Sequence, residues 1–381
     1  MTKFLIEQYK TDKLLKIKHN YLNEQFYDYK KIFKEIEKVV KFGDFTLGKK
    51  VIEFEKNIST LLKSKFVVSV GSGTDALFLS LKALGIKEGD EVITPSYTFY
   101  ATIGAIVTAG AKPVFVDIKE DYNLDESLIE KKITKKTKAI LPVHWAGRIC
   151  EMTKIMQISK KHNIPIVEDA CHGILATYKN KFAGTFGDFG CFSMHPLKNL
   201  NIWGDGGFII IKKKSMYKKM LLLRNHGLAS RNKNLIFGYN SRLDTVQSVV
   251  ALHLLKKIKK ITNTRIRNAN YLDKKLSKNK NIKIVKRQNN LKEVFHLYHI
   301  NILNKKLRNF AVKKLIKNSI DAKTHYPVPM HLQPPSKKMG YKKGDFPITE
   351  KMSDTSISLP VHEFVSIKML DKIVKVLNSV F

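Results

Sequence analysis

The residues able to do chemistry in this sequence follow short apolar runs. Lys198 lies in FGDFGCFSMHPLKNLNIWGDGGFIII, between two such runs and among small and apolar neighbours. A lysine in that setting is desolvated, which lowers its pKa, and a neutral amine is a nucleophile able to form a Schiff base. In a chain with 69 Lys and Arg residues, the competing account is an ordinary surface lysine. Gly204, Gly206 and Gly207 just beyond it imply a backbone fitted tightly to something. Asp169, in VEDACHG, closes another apolar run. A buried carboxylate is costly unless partnered. The partner is either a structural cation or a protonated pyridine nitrogen, which the carboxylate would keep electron-withdrawing. Glu168 should point the opposite way if this run is a strand. His172 either donates to a ring oxygen or simply bonds to its neighbours. GSGTDAL, starting at Gly71, opens a helix after FVVSV. Free N–H groups at a helix start attract phosphate, while a plain turn capped by Thr74 explains the same letters. The glycine spacing is neither that of a Walker loop nor that of a dinucleotide-binding fingerprint.

These residues need elements to hold them. FVVSVG, DEVITPS, KPVFVDI, KAILPVH, IPIVEDA, FGCFSM and GGFIIIK have the near-continuous apolar character of strands covered on both faces. TDALFLSLKALG, TFYATIGAIVTAG and MTKIMQISKKHN between them carry helical patterns. Alternating strand and helix predict a mainly parallel mixed sheet, an α/β fold whose ligands sit at the carboxyl ends of the strands. That edge gathers Gly73 and Thr74, Phe99, His144 and Trp145, Asp169 to His172, and Ser193 to Lys198. The stretch before Leu62 reads as helical, broken at FGDFTLGKK, and Asp244 to Ile266 as one long helix. Beyond it the elements shorten and mix. The expected organisation is a large domain over 1–250 and a smaller α+β domain over 251–381.

Composition narrows the class. The chain has 381 residues, 43% hydrophobic and 27% charged, ordinary for a globular protein. No run approaches the roughly 18 apolar residues of a membrane span, and MTKFLIEQYK has no signal core. Three cysteines, Cys150, Cys171 and Cys191, fit a reducing, cytoplasmic setting and have no metal-ligand spacing. The net charge of +36 is compatible with nucleic acid or with an anionic substrate groove. The lysines are scattered rather than gathered in one arm, and no RNA-recognition, zinc-finger or homeodomain signature is present. No nucleic-acid, membrane or metal partner is expected.

GSGTDAL, DEVITPSYTFYAT, AGAKPVFVDI, TKAILPVH, VEDACHG, FSMHPLKNLNIWGDGG, LRNHG, GYNSRLD and HYPVPMHLQ occur in this order. Together they resemble the DegT/DnrJ/EryC1/StrS family of sugar aminotransferases, from FTLGKKVIEFE to ISLPVH. The resemblance implies fold type I, pyridoxal 5′-phosphate as cofactor, and a homodimer with shared active sites. It implies that Lys198 binds the cofactor covalently and then shuttles the proton. It further implies that Asp169 pairs with the pyridine nitrogen, His172 lies near the phenolic oxygen, and Phe99 stacks on the ring. Gly73, Thr74, Asp75 and Ser193 would bind phosphate, with Asn240 reaching the phosphate of the neighbouring subunit. Glutamate and a nucleotide-linked keto sugar are the implied substrates. HYPVPMHLQ is similar to segments bordering the sugar in relatives that aminate C3 of dTDP- or UDP-linked sugars, which makes Tyr326 and His331 candidate sugar contacts. Amination at C4 and PLP-dependent dehydration are the alternatives; the retained Lys198 favours transamination. HWAG and HPLKNLNIWG depart from the family's commoner HLYG and YPGKNLGAYG and leave the sugar open.

Overall fold

The computed structural model describes residues 15–381. The apolar runs form strands β1 (Phe66–Val70), β2 (Glu91–Pro95), β3 (Lys112–Val116), β4 (Thr137–Ile140), β5 (Val167–Asp169), β6 (Phe189–Ser193) and β7 (Gly207–Ile211). The pairings β3-β2-β4 and β5-β6-β7-β1 are joined by parallel bridges from Ile140 to Ile166 and from Val143 to Asp169. The resulting sheet has the order β3-β2-β4-β5-β6-β7-β1. Only β7 runs against its neighbours, β6 and β1.

Alternate residues of a strand face opposite sides of the sheet, and here both sides are apolar. Phe208 and Ile210 of β7 belong to one core, with Phe54 and Ile58 of helix α2 (Lys49–Leu61). Ile209 and Ile211 belong to the other, with Leu77 and Leu81 of α3 (Gly73–Ala83) and Ile106 of α4 (Tyr100–Thr108). This two-sided burial is why the strands read as unbroken apolar runs. Upstream of α2, helix α1 (Tyr29–Phe42) ends on Gly43, whose φ of 66° is the left-handed cap expected where FGDFTLGKK breaks the pattern. Helix α5 (Met152–His162) crosses from β4 to β5, and α6 (Lys214–Leu223) follows β7.

The single helix expected over Asp244–Ile266 is two: α7 (Thr245–Leu255) and α8 (Ile258–Leu276). α7 is buried almost all round, through Val249, Val250 and Leu254, in the core of the large sheet. α8 is amphipathic and carries Ala269, Leu272 and Leu276 into a separate core. The break at Lys256 and Lys257 lets the chain turn from one core to the other. That separate core lies over an antiparallel sheet of β8 (Ile282–Ile284), β9 (Tyr298–Ile302) and β10 (Ser356–Leu359). Helices α9 (Lys305–Lys317) and α11 (Ile367–Asn378) pack on it through Leu315, Ile373 and Leu377. Between them, α10 (Pro347–Thr355) ties this region to the large sheet. Its first N–H groups, those of Ile348 and Thr349, donate to Asp117 just beyond β3.

Candidate active site

The carboxyl ends of β1, β2, β5 and β6 open into one cavity of about 350 Å³. Gly73, Thr74, Phe99, Asp169, His172, Ser193, Lys198 and Tyr326, expected from sequence, all line it. Asp75, Asn240 and His331 do not.

Asp169 ends β5, where its backbone is bonded to the segment just beyond β4: its N–H donates to Pro142 O at 2.9 Å, and His144 N–H donates to its carbonyl at 3.0 Å. Its carboxylate accepts from the Thr102 hydroxyl at 2.8 Å and from Cys171 N–H at 3.2 Å. It is buried, yet no lysine, arginine or histidine pairs with it among the described residues. Glu168 points the other way. Its two oxygens accept from the N–H groups of Gly184, Phe186 and Gly187 and from His144 Nε2. The Nδ1 of His144 accepts from Cys150 N–H, so Nε2 carries the proton.

Lys198 sits on the loop from β6 to β7. The loop is closed by Met194 N–H to Gly206 O at 2.7 Å, Ile202 N–H to Met194 O at 3.0 Å, and Lys198 N–H to His195 O at 2.8 Å. Its amine has no ion pair among the described residues. Burial holds the amine below the usual lysine range, against the opposing pull of Cys171 and Asp169. Of the glycines after it, Gly207 fits other backbone: a Cβ there would lie 2.5 Å from the carbonyl oxygen of Ser72. Gly207 thus lets β7 press against the turn that opens α3.

At that turn Ser72 is the N-cap, its Oγ accepting from Asp75 N–H at 3.0 Å. The cap is thus Ser72 and not Thr74, and the Asp75 N–H is engaged by the Ser72 hydroxyl. The Asp75 carboxylate in turn accepts from the Ser241 hydroxyl. Gly73 and Thr74 occupy the first helical positions, where N–H groups lack intrahelical acceptors, and no other partner for them is found among the described residues. A Cβ on Gly73 would stand 2.6 Å from Cβ of Ser193, so glycine is what brings the helix start against that serine.

His172 stacks on His296 at 4.2 Å, and its Nδ1 accepts from Ala146 N–H, leaving the proton on Nε2. Burial, reinforced by nearby Lys198, pushes its pKa well below the usual histidine range, so the ring is neutral. Phe99 is partly exposed at the rim and lies 5.9 Å from the Tyr326 ring. Asn240 is at the surface, bridged to Asn225, away from the cavity. His331 is fully buried against Phe346 with Nε2 on Glu350; it packs beneath the loop and does not face the cavity.

Sequence reasoning missed several lining residues. Thr102 sits one helical turn beyond Thr98 and bonds to it, a spacing that could have flagged it. His19, Asn20 and Tyr21 come from the N-terminal segment, and Arg265, His296 and Lys323 from the C-terminal region. No local pattern marks them.

The set fits the expected cofactor. A buried carboxylate without a cation, a desolvated amine without an anion, and two unpartnered helix-start N–H groups beside a serine share one cavity. These are complementary to a pyridinium nitrogen, an aldehyde and a phosphate.

Comparison with known proteins agrees. A model of the DegT/DnrJ/EryC1/StrS aminotransferase family matches residues 27–378. The chain is 36% identical to the pleiotropic regulatory protein of Geobacillus stearothermophilus, over 89% of this chain and 92% of that one. It is 33% identical to UDP-2-acetamido-2-deoxy-3-oxo-D-glucuronate aminotransferase of Pseudomonas aeruginosa, over 89% and 94%. It superposes on the crystal structure of DesV from S. venezuelae with a TM-score of 0.91 at 30% identity, covering 95% of this chain and 98% of that one.

Proposed function

We propose a substrate and a division of roles for this chain, which belongs to the DegT/DnrJ/EryC1/StrS aminotransferase family. As such it is a pyridoxal-phosphate-dependent transaminase acting on nucleotide-linked keto sugars. The finer reading is that glutamate is the donor and that the acceptor is a UDP- or dTDP-linked sugar with its ketone at C3, aminated for surface-glycan assembly. One observation carries the chemistry: an amine without an anion and a carboxylate without a cation face the same cavity. Support for C3 comes from HYPVPMHLQ, whose Tyr326 lines that cavity, and from the 3-oxo sugar in the name of the Pseudomonas relative.

Bound there, the cofactor supplies an electron sink for the carbanion formed at the amino acid's α-carbon. In this reading Asp169 holds the ring nitrogen, braced by the Thr102 hydroxyl. The N–H groups of Gly73 and Thr74, with the Ser193 hydroxyl, hold the phosphate. Phe99 covers the ring face, and His172 offers Nε2–H to the phenolic oxygen. Lys198 is the covalent tether. Once freed, its Nζ takes the α-proton of glutamate and, in the second half-reaction, returns a proton at the sugar carbon that receives nitrogen. Burial of Lys198 favours the neutral amine that tethering and removal of the α-proton need, and the proton so taken is the one the side chain later gives up. No helix among the described residues is long and apolar enough to cross a membrane, which suits a water-borne nucleotide sugar.

The active unit in this reading is a homodimer. Support comes from the segment leading to Asn240, where Phe237 is 99% exposed and Leu235 53%. Apolar groups so placed call for a covering surface, and a second copy would bring Asn240 towards its partner's cavity. The large sheet with the cores on its two faces is taken as the large domain and the core over the antiparallel sheet as the small one, with the division near residue 250.

The test is incubation of the holoenzyme with glutamate and a panel of UDP- and dTDP-linked 3-keto and 4-keto sugars, with products read by mass spectrometry. Amination of 3-keto sugars is expected. Amination of 4-keto sugars alone, or dehydration, overturns the finer reading.

A further inference from the structure

Residues 15–21 form a strap laid along the small domain. Ile17 bridges to Ile320, Asp321 N–H donates to Ile17 O at 2.8 Å, and His19 N–H donates to the Asp321 carboxylate at 3.0 Å. Just before His19, the Lys18 carbonyl accepts from His362 Nε2 at 2.7 Å, and beyond it the Tyr21 ring stacks on His362 at 4.0 Å. The strap is therefore fixed on both sides of His19, and His19 lines the cavity that holds Lys198.

The His19 ring has a defined polarity. Nε2 lies 3.3 Å from the backbone carbonyl of Ser358, and a carbonyl only accepts. The ring proton is therefore on Nε2. Burial, helped by Lys323 and Arg265 against Asp321, pulls the pKa down to about 4, so the ring is neutral near pH 7. Nδ1 is left as a lone-pair acceptor with no protein partner among the described residues. In the same cavity wall, Lys323 and Arg265 can only donate, and His172 offers Nε2–H. Those groups suit the anionic parts of the substrates. An acceptor repels carboxylate and phosphate oxygens and calls for an O–H or N–H. Among the groups of the two substrates, the sugar ring is the part rich in such donors.

We propose that His19 is a specificity-determining residue whose Nδ1 accepts a hydrogen bond from a hydroxyl or acylamino N–H on the sugar ring. The proposal rests on the nucleotide-sugar reading. The test measures binding to the holoenzyme by calorimetry, using UDP-glucose, UDP-N-acetylglucosamine and dTDP-glucose, with UDP and dTDP as sugar-free controls. His19→Phe keeps the ring shape and removes both nitrogens. His19→Asn restores an acceptor near the δ position but lacks the Nε2 contact to Ser358. Loss of one neutral hydrogen bond predicts about 3- to 10-fold weaker nucleotide-sugar binding in the Phe variant. Recovery is expected in the Asn variant, with binding of UDP and dTDP unchanged. Equal weakening of UDP-glucose and UDP-N-acetylglucosamine identifies a hydroxyl; weakening of the latter alone identifies the acylamino N–H. Unchanged sugar binding in His19→Phe, equal losses in both variants, or an equal loss for the sugar-free controls overturns the assignment. A wild-type enzyme that binds none of the three nucleotide sugars would instead sink the nucleotide-sugar reading itself.

Discussion

Glu168→Gln isolates what holds Asp169 in register. The Glu168 side chain is fully buried. One of its oxygens accepts from Phe186 N–H at 2.7 Å and Gly187 N–H at 2.6 Å; the other accepts from Gly184 N–H and His144 Nε2, each at 2.8 Å. Glutamine has the same shape but only one acceptor oxygen. Whichever way its amide turns, two N–H donors meet an NH2 group. The imidazole gives no relief, because its Nδ1 already accepts from Cys150. A hydrogen bond to a charged group contributes about 1.5–3 kcal/mol, so two lost bonds cost roughly 3–6 kcal/mol. Unfolding entropy of about 2.1 cal/mol/K per residue gives a chain of this length about 0.8 kcal/mol/K. The expected fall in Tm is therefore about 4–8 °C, measured by calorimetry on holoenzyme at neutral pH. A Tm within about 1 °C of wild type would refute the claim that these four donors depend on the carboxylate.

Lys198→Ala should lower turnover by at least the roughly 10²–10⁴-fold typical of a lost general acid–base group. It should also abolish borohydride-stable cofactor labelling, checked by peptide mass mapping; normal turnover would contradict the assignment. Thr102→Val removes the hydroxyl from Asp169 and should weaken cofactor affinity by about 10-fold or more, read by equilibrium dialysis of the apoprotein. Acidification tests the buried histidines. Burial lowers His19 to about 4 and His299 and His362 to about 3, from an ordinary 6.5. Because the folded pKa values lie below the unfolded ones, the unfolded chain takes up protons first. Stability is then lost as pH falls through 6.5 towards 4, by about 1.4 kcal/mol per pH unit for each group. Urea titrations at pH 7.5 and 5.0 should differ by several kcal/mol, and equal midpoints and slopes would count against neutral burial.

The large sheet was legible because its strands are apolar on both faces, and the period of the letters matches that environment. Lys198, Asp169 and the α3 turn were legible because each follows such a strand on the edge where ligands bind. What failed had a physical reason in each case. Asp244–Ile266 carries one continuous helical pattern, but two cores pull its halves in different directions. The glycines after Lys198 signalled close packing, and what they pack against is protein rather than a ligand: the Ser72 carbonyl at Gly207, and the Ile202 and Leu243 side chains at Gly206. His331 and Tyr326 share a segment, yet only Tyr326 reaches the cavity, because His331 turns under the loop onto Glu350. His19 and Arg265 join the wall through contacts spanning hundreds of residues, and separation of that kind leaves no trace in local periodicity.

The strap has a consequence for how such a protein can change. Groups that the proposed function gives to bond-making come from between Ser72 and Lys198, and are pinned by strand register. The rest of the cavity wall, which the proposed function assigns to the sugar, comes from the chain's two extremities, around His19 and beyond His296, on a different scaffold. Substitutions at the extremities can therefore alter which molecule is admitted while leaving the reaction machinery undisturbed. Exchanging those two terminal portions between related sequences should transfer preference for the acceptor as a separable trait.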